Sequence, residues 1–199
     1  MSKKKRNRKV KRKPEKKSYK RYAIVAAIAI AWVGYWALVN LSEGGLRNYP
    51  KLVEGVFYTT PTVSDDGTMV SIHNSFVEEY KLVYIDVRLE EPLEEFVYQG
   101  RTIPLEWYRD GEYMPLVVIS TPKGETITGI RVCEPCGSFD FHIIDKKYLD
   151  CDACHTRWDI ETLNGISGGC LDYPPPALSS TVGDVIEIYV SLSGVKLVA

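Results

Sequence analysis

Residues 133–154 read CEPCGSFDFHIIDKKYLDCDAC. The pairs Cys133–Cys136 and Cys151–Cys154 each have C-x-x-C spacing, and fourteen residues separate them. Those fourteen read as strand, Asp-Lys-Lys turn, strand, so a hairpin returns the second pair beside the first. A C-x-x-C turn aims its two sulfurs at one point, and two facing turns make a thiolate cage. Such a cage suits zinc, a single iron, or an iron–sulfur cluster of the 2Fe-2S or 4Fe-4S kind. Spacing alone does not choose among them.

The fifth cysteine of the chain follows within Gly168-Gly169-Cys170. Cys170 reads as a further ligand, a resolving thiol or a small buried residue. Glycine at 168 and 169 lets backbone N–H groups approach sulfur, or simply makes a tight turn. Trp158 is expected to pack beside the cage and keep water away. Two other chemistries compete. A disulfide within C-x-x-C closes a very small loop, stabilises little and leaves Cys170 unpaired. The run Cys151-Asp152-Ala153-Cys154-His155 also matches C-x-x-C-H, the attachment signature of haem c, with His155 as axial ligand. His73, His142, Met69 and Met114 are then candidates for the sixth position, but haem leaves Cys133 and Cys136 without a role. Outside that reading, His73 and His142 are strand residues.

Away from the cysteines the pattern is that of strands. Val83, Ile85 and Val87 alternate with Tyr84, Asp86 and Arg88, the mark of a half-buried strand. Leu116–Ile119 and Thr126–Val132 are short β-branched runs, and Ile186, Ile188, Val190 and Leu192 alternate with polar neighbours. Turns are marked at Asp65-Asp66-Gly67, Asp110-Gly111, Pro122-Lys123-Gly124 and Ser193-Gly194. Helical periodicity is weak after residue 43, with a turn or two near Asp159–Leu163 as its nearest approach. The expected fold is an all-β small barrel or sandwich over residues 51–199. It carries a metal-binding segment at 130–178, Rieske-like or rubredoxin-like with two hairpins.

Charge divides the chain. Residues 1–21 hold thirteen of the 25 Lys and Arg and one acid, which leaves the remainder at a net charge of −13. The uncharged stretch 22–42, YAIVAAIAIAWVGYWALVNLS, has the length of one membrane-spanning helix. Its apolar core is longer than that of a signal peptide and lacks a small-x-small cleavage site. Basic residues before the span predict a cytoplasmic N-terminus, a linker at 43–50 and an extracytoplasmic domain. The lipid bilayer is the expected partner, and the basic run reads as a topology signal rather than a nucleic-acid site. There is no phosphate-cradling glycine loop, no G-x-S-x-G and no H-E-x-x-H, so hydrolases built on those motifs are excluded. An electron carrier, or a structural subunit held by zinc, fits better than a stand-alone enzyme.

Two resemblances sharpen the expectation. Cys151-Asp-Ala-Cys154-His155-Thr-Arg-Trp158-Asp159 resembles the second cluster-binding box of Rieske proteins, with Cys154 in the histidine slot and His155 in the glycine slot. The wider pattern is similar to the FtrD-like family of membrane iron–sulfur proteins: Ile130-Arg-Val-Cys133, Cys136, Cys151, Cys154, Trp158, Gly168-Gly169-Cys170 and Pro174-Pro175-Pro176. That resemblance covers roughly residues 115–178. It implies a membrane-bound iron–sulfur protein that passes electrons to other membrane redox or transport subunits, in support of iron uptake or respiration.

Overall fold

The computed structural model describes residues 57–199, together with residue 28 and residues 30–32, which are helical and exposed. The expected basic tail at 1–21 and linker at 43–50 lie outside the described residues, as does the rest of the expected span at 22–42. Among the described residues, no helix is long and apolar enough to cross a membrane.

Among residues 57–199, thirteen strands and one short α-helix follow one another. They are β1 (Thr62–Val63), β2 (Met69–His73), α1 (Asn74–Tyr80), β3 (Leu82–Arg88), β4 (Glu95–Tyr98), β5 (Arg101–Pro104) and β6 (Tyr113–Ser120). After these come β7 (Thr126–Ile130), β8 (Phe141–Ile144), β9 (Tyr148–Cys151), β10 (Arg157–Asp159), β11 (Gly165–Ser167), β12 (Ser180–Val182) and β13 (Val185–Tyr189). The fold is therefore mostly β, as expected, but α1 was not. Its sequence, NSFVEEY, spans two turns and buries only Val77, too little apolar periodicity to be read in advance. The turn at Asp159–Leu163 is not helical. The Asp159 carboxylate accepts hydrogen bonds from the N–H groups of Glu161 and Thr162 at 3.0 and 3.1 Å, giving a side-chain-capped turn.

The strands form open sheets rather than a barrel: β1-β2-β13-β12, β3-β6-β7, β11-β10-β9-β8, and the hairpin β4-β5. All their pairings are antiparallel. The sheet β3-β6-β7 has apolar packing on both faces. Val83, Ile85, Val87, Leu116 and Val118 pack with Val70, Ile72, Ile186 and Ile188. Tyr84, Val117 and Ile119 point the other way, into a second core with Phe141, Ile143, Leu149 and Trp158. Burial on both sides explains why β6 is apolar without alternation. It also corrects the half-buried reading of β3. Tyr84 is 1% exposed, because the face that looked polar is covered by the cysteine-bearing sheet.

The hairpin expected between the two cysteine pairs is β8–β9, with Phe141 opposite Cys151. Its turn places Asp145 and Lys146 at φ of 48° and 54°, the left-handed conformation a type I′ connection requires.

Candidate metal centre

The two C-x-x-C segments fold into matching loops. In the first, the Cys133 N–H donates to Ser138 O at 2.8 Å and the Gly137 N–H to Cys133 O at 2.9 Å. In the second, the Cys151 N–H donates to Thr156 O at 3.0 Å and the His155 N–H to Cys151 O at 2.9 Å. In both, the residue after the second cysteine is left-handed, with φ of 68° at Gly137 and 52° at His155. This accounts for His155 standing where glycine was expected: the slot asks for positive φ, which histidine tolerates better than most residues. The repeat was present in the sequence as C-x-x-C-Gly-Ser and C-x-x-C-His-Thr, a signal that cysteine spacing alone passes over.

Sulfur contacts run between the loops. Cys133 Sγ lies 4.0 Å from Cys154 Sγ, and Cys136 Sγ lies 3.6 Å from Cys151 Sγ. Cys170 joins from a third segment. The sulfurs of Cys133, Cys136, Cys154 and Cys170 all lie within 4.8 Å of one another. All five cysteines are free thiols, with Cys133, Cys151 and Cys170 buried and Cys136 and Cys154 partly exposed.

Three contacts seat Cys170. Its N–H donates to Thr156 Oγ1 at 3.1 Å, and Cys154 Sγ lies 3.2 Å from the same hydroxyl. The Trp158 indole N–H donates to Leu171 O at 3.0 Å. Gly168, at φ 116°, lies so close to Thr156 that a Cβ there would come within 2.4 Å of its Oγ1. Only glycine lets this loop reach the second cysteine loop. Gly169 faces open space. Downstream, the Ile130 N–H donates to Pro176 O at 2.8 Å, so the chain after Cys170 runs beside β7, the strand that leads to Cys133.

Cys133, Cys136 and Cys170 do not ionise readily as they stand, whereas Cys151 does. Burial pushes Cys136 up to about 12 and also raises Cys170. Cys133 is raised through its contact with Cys151 and by burial, while Cys151 is lowered by that contact and by the N–H groups of Cys154 and Ala153. Several thiolates crowded in a low-dielectric pocket repel one another, and a bound cation removes that penalty.

Trp158 is fully buried in the same apolar cluster as Cys133, Cys151 and Cys170. The His155 ring is 76% exposed, with Nδ1 3.4 Å from Asp150 Oδ1. Cys151 is buried while the His155 imidazole faces solvent, so this C-x-x-C-H run does not present its groups to one flank as a porphyrin needs. His142 lies on β8 and bonds Asp152 through Nδ1. His73 ends β2, as expected of a strand residue.

Much of the support comes from residues the sequence did not single out. Arg131, two residues before Cys133, is completely buried, and its Nη2 donates to Asp86 Oδ1 and to the Tyr108 hydroxyl at 2.7 Å each. Its guanidinium lies 4.1 Å from the Tyr84 ring centroid. The Tyr84 hydroxyl donates to Phe141 O at 2.6 Å and accepts from the Phe141 N–H at 2.7 Å, bracing β8 against β3. Tyr84→Phe removes both bonds and is expected to cost about 1–3 kcal/mol, because it strands buried backbone groups; chemical denaturation reads this as a lower midpoint. Arg101 pairs with Glu134 in the first cysteine loop and donates to Pro174 O at 2.9 Å, so one side chain ties the first and third segments together. Trp107 lies over Gly137, where a Cβ would come 2.8 Å from Cε3. Tyr84, Asp86, Arg101, Trp107 and Tyr108, from a part of the chain that carried no motif, thus supply braces of the site.

No curated protein matches the chain. The family model described as membrane iron-sulfur containing protein FtrD-like matches residues 97–194, just under half the chain, and this stretch includes all five cysteines.

Proposed function

We propose that this protein is an iron–sulfur electron carrier, held at a membrane by its N-terminal segment with the cysteine-bearing domain on the extracytoplasmic side. The observation that carries this reading is the convergence of cysteines from three segments, four of them with sulfurs within 4.8 Å of one another. The thiolate donors fit iron, the metal that the matching family's name implies, since several soft thiolates in one pocket select thiophilic ions such as iron and zinc. Iron held by thiolates supplies one-electron redox chemistry. Cys133, Cys136, Cys151, Cys154 and Cys170 are the residues available to hold it. Thr156 and the loop amides orient the sulfurs, and Trp158 and Phe141 exclude water. The partial exposure of Cys136 and Cys154 supports electron exchange with a docked partner. Thirteen basic residues ahead of the uncharged stretch 22–42 support a cytoplasmic N-terminus, and the matching family's name supports a membrane setting. Electron exchange with other membrane redox or transport subunits follows from this reading.

The test is the full chain purified in detergent without oxygen. Broad visible absorption that bleaches reversibly on reduction, with bound iron, is the expected result. Cys133→Ser is expected to abolish both colour and iron. A colourless protein with stoichiometric zinc overturns electron transfer and makes the centre a structural staple; a sharp Soret band overturns the thiolate centre altogether.

A further inference from the structure

We propose, building on the metal-centre reading above, that Cys133, Cys136, Cys154 and Cys170 hold a single metal ion and that Cys151 stands outside the set as a fifth thiol. The first argument is size. A metal–thiolate bond of about 2.3 Å in a tetrahedral site puts the sulfurs about 3.8 Å apart. The Cys133 and Cys154 sulfurs lie 4.0 Å apart, and none of the four is more than 4.8 Å from another. A multi-iron cluster interposes its own irons and sulfides and spreads its thiolates well beyond this spacing.

The second argument is anchoring. Widening the cage means moving the Cys170 loop, and that loop is held on both sides. Upstream, Gly168 packs against Thr156 and the Cys170 N–H bonds its hydroxyl. Downstream, Arg101 clasps Pro174 O while paired with Glu134 from the first loop. The same contacts seat Cys170 as the fourth ligand although the C-x-x-C pairs alone nominate Cys151. The Cys151 sulfur is not one of these four; it lies 3.6 Å from Cys136 Sγ and also contacts Cys133. Its place is that of a hydrogen-bonding neighbour to a ligand sulfur, which tunes a centre rather than forming it.

The experiment compares the wild-type full chain with Cys151→Ser and Cys170→Ser, in detergent, reconstituted anaerobically with ferrous iron in the presence and absence of sulfide. The expected result for wild type is one iron per chain under both conditions, without acid-labile sulfide. Cys170→Ser is expected to lose iron to a chelator more than about 100-fold faster, and Cys151→Ser only about 10–100-fold faster, as for an outer partner. Two or more irons per chain with matching sulfide overturn the proposal while leaving electron transfer intact. So does a Cys170→Ser variant that keeps its iron while Cys151→Ser loses it. The wild-type ratio needs no variant to fold. One zinc per chain with no affinity for iron supports the single-ion cage and overturns electron transfer; no bound metal overturns both.

Discussion

Asp86→Ala is expected to destabilise the domain by about 3–5 kcal/mol, because it leaves a buried guanidinium without its main counter-charge. Arg131 has no exposed side-chain surface. Its Nη2 bonds Asp86 Oδ1 at 2.7 Å, and the Tyr108 hydroxyl lies 2.8 Å from both Asp86 oxygens. The remaining carboxylate, Asp140, lies 3.3 Å from Nη1 and is 59% exposed, so solvent weakens what it can return. Denaturant unfolding should show a lower midpoint at unchanged slope. Replacing both partners, with Asp86→Ala and Arg131→Met together, should recover much of the loss, since no buried charge is then left unpaired. A loss below about 1 kcal/mol for Asp86→Ala would mean that Asp140 and the tyrosine rings suffice to hold the charge. Arg131 precedes Cys133 by two residues, so the same variant should also release metal faster.

Trp158→Ala is the second large effect, also about 3–5 kcal/mol, through a cavity beside the sulfurs. Trp158 is 0% exposed, its ring centroid lies 6.1 Å from that of Phe141, and its indole N–H holds Leu171 O at 3.0 Å. Truncation removes packing next to Cys133, Cys151 and Cys170 and frees the loop that carries Cys170. Faster metal loss to a chelator should therefore accompany the lower denaturation midpoint. Trp158→Phe separates the two roles: it keeps most of the apolar bulk but removes the bond to Leu171 O, at about 0.5–1.5 kcal/mol. If Trp158→Ala loosened the fold without changing metal retention, shielding of the site by this ring would be ruled out.

Local signals were enough for the parts of this protein that depend on local chemistry. The β8–β9 hairpin follows from a polar Asp-Lys-Lys step between two apolar runs. The two cysteine loops follow from C-x-x-C spacing, and the β-rich character follows from short alternating segments divided by Gly, Asp and Pro. Side-chain period and turn conformation are set within a few residues, so they are written in the sequence. The family resemblance was legible for the same reason, resting on cysteines, glycines and prolines at fixed offsets.

Long-range packing decided the rest. The polar face of β3 could be recognised, but not that Tyr84 and Asp86 would meet Phe141 and Arg131, respectively 57 and 45 residues away. The short helix α1 carries one buried side chain, and its place depends on the sheets around it. The arrival of Cys170 beside Cys133, Cys136 and Cys154 has the same origin. Spacing within a C-x-x-C pair is fixed by one turn, whereas the position of Cys170 depends on Gly168 against Thr156, Arg101 across to Pro174, and Pro176 along β7. Sequence alone determined which atoms are available to bind a metal; that the Cys170 sulfur comes within 4.8 Å of those of Cys133, Cys136 and Cys154 was decided by contacts between segments that only the folded chain brings into register.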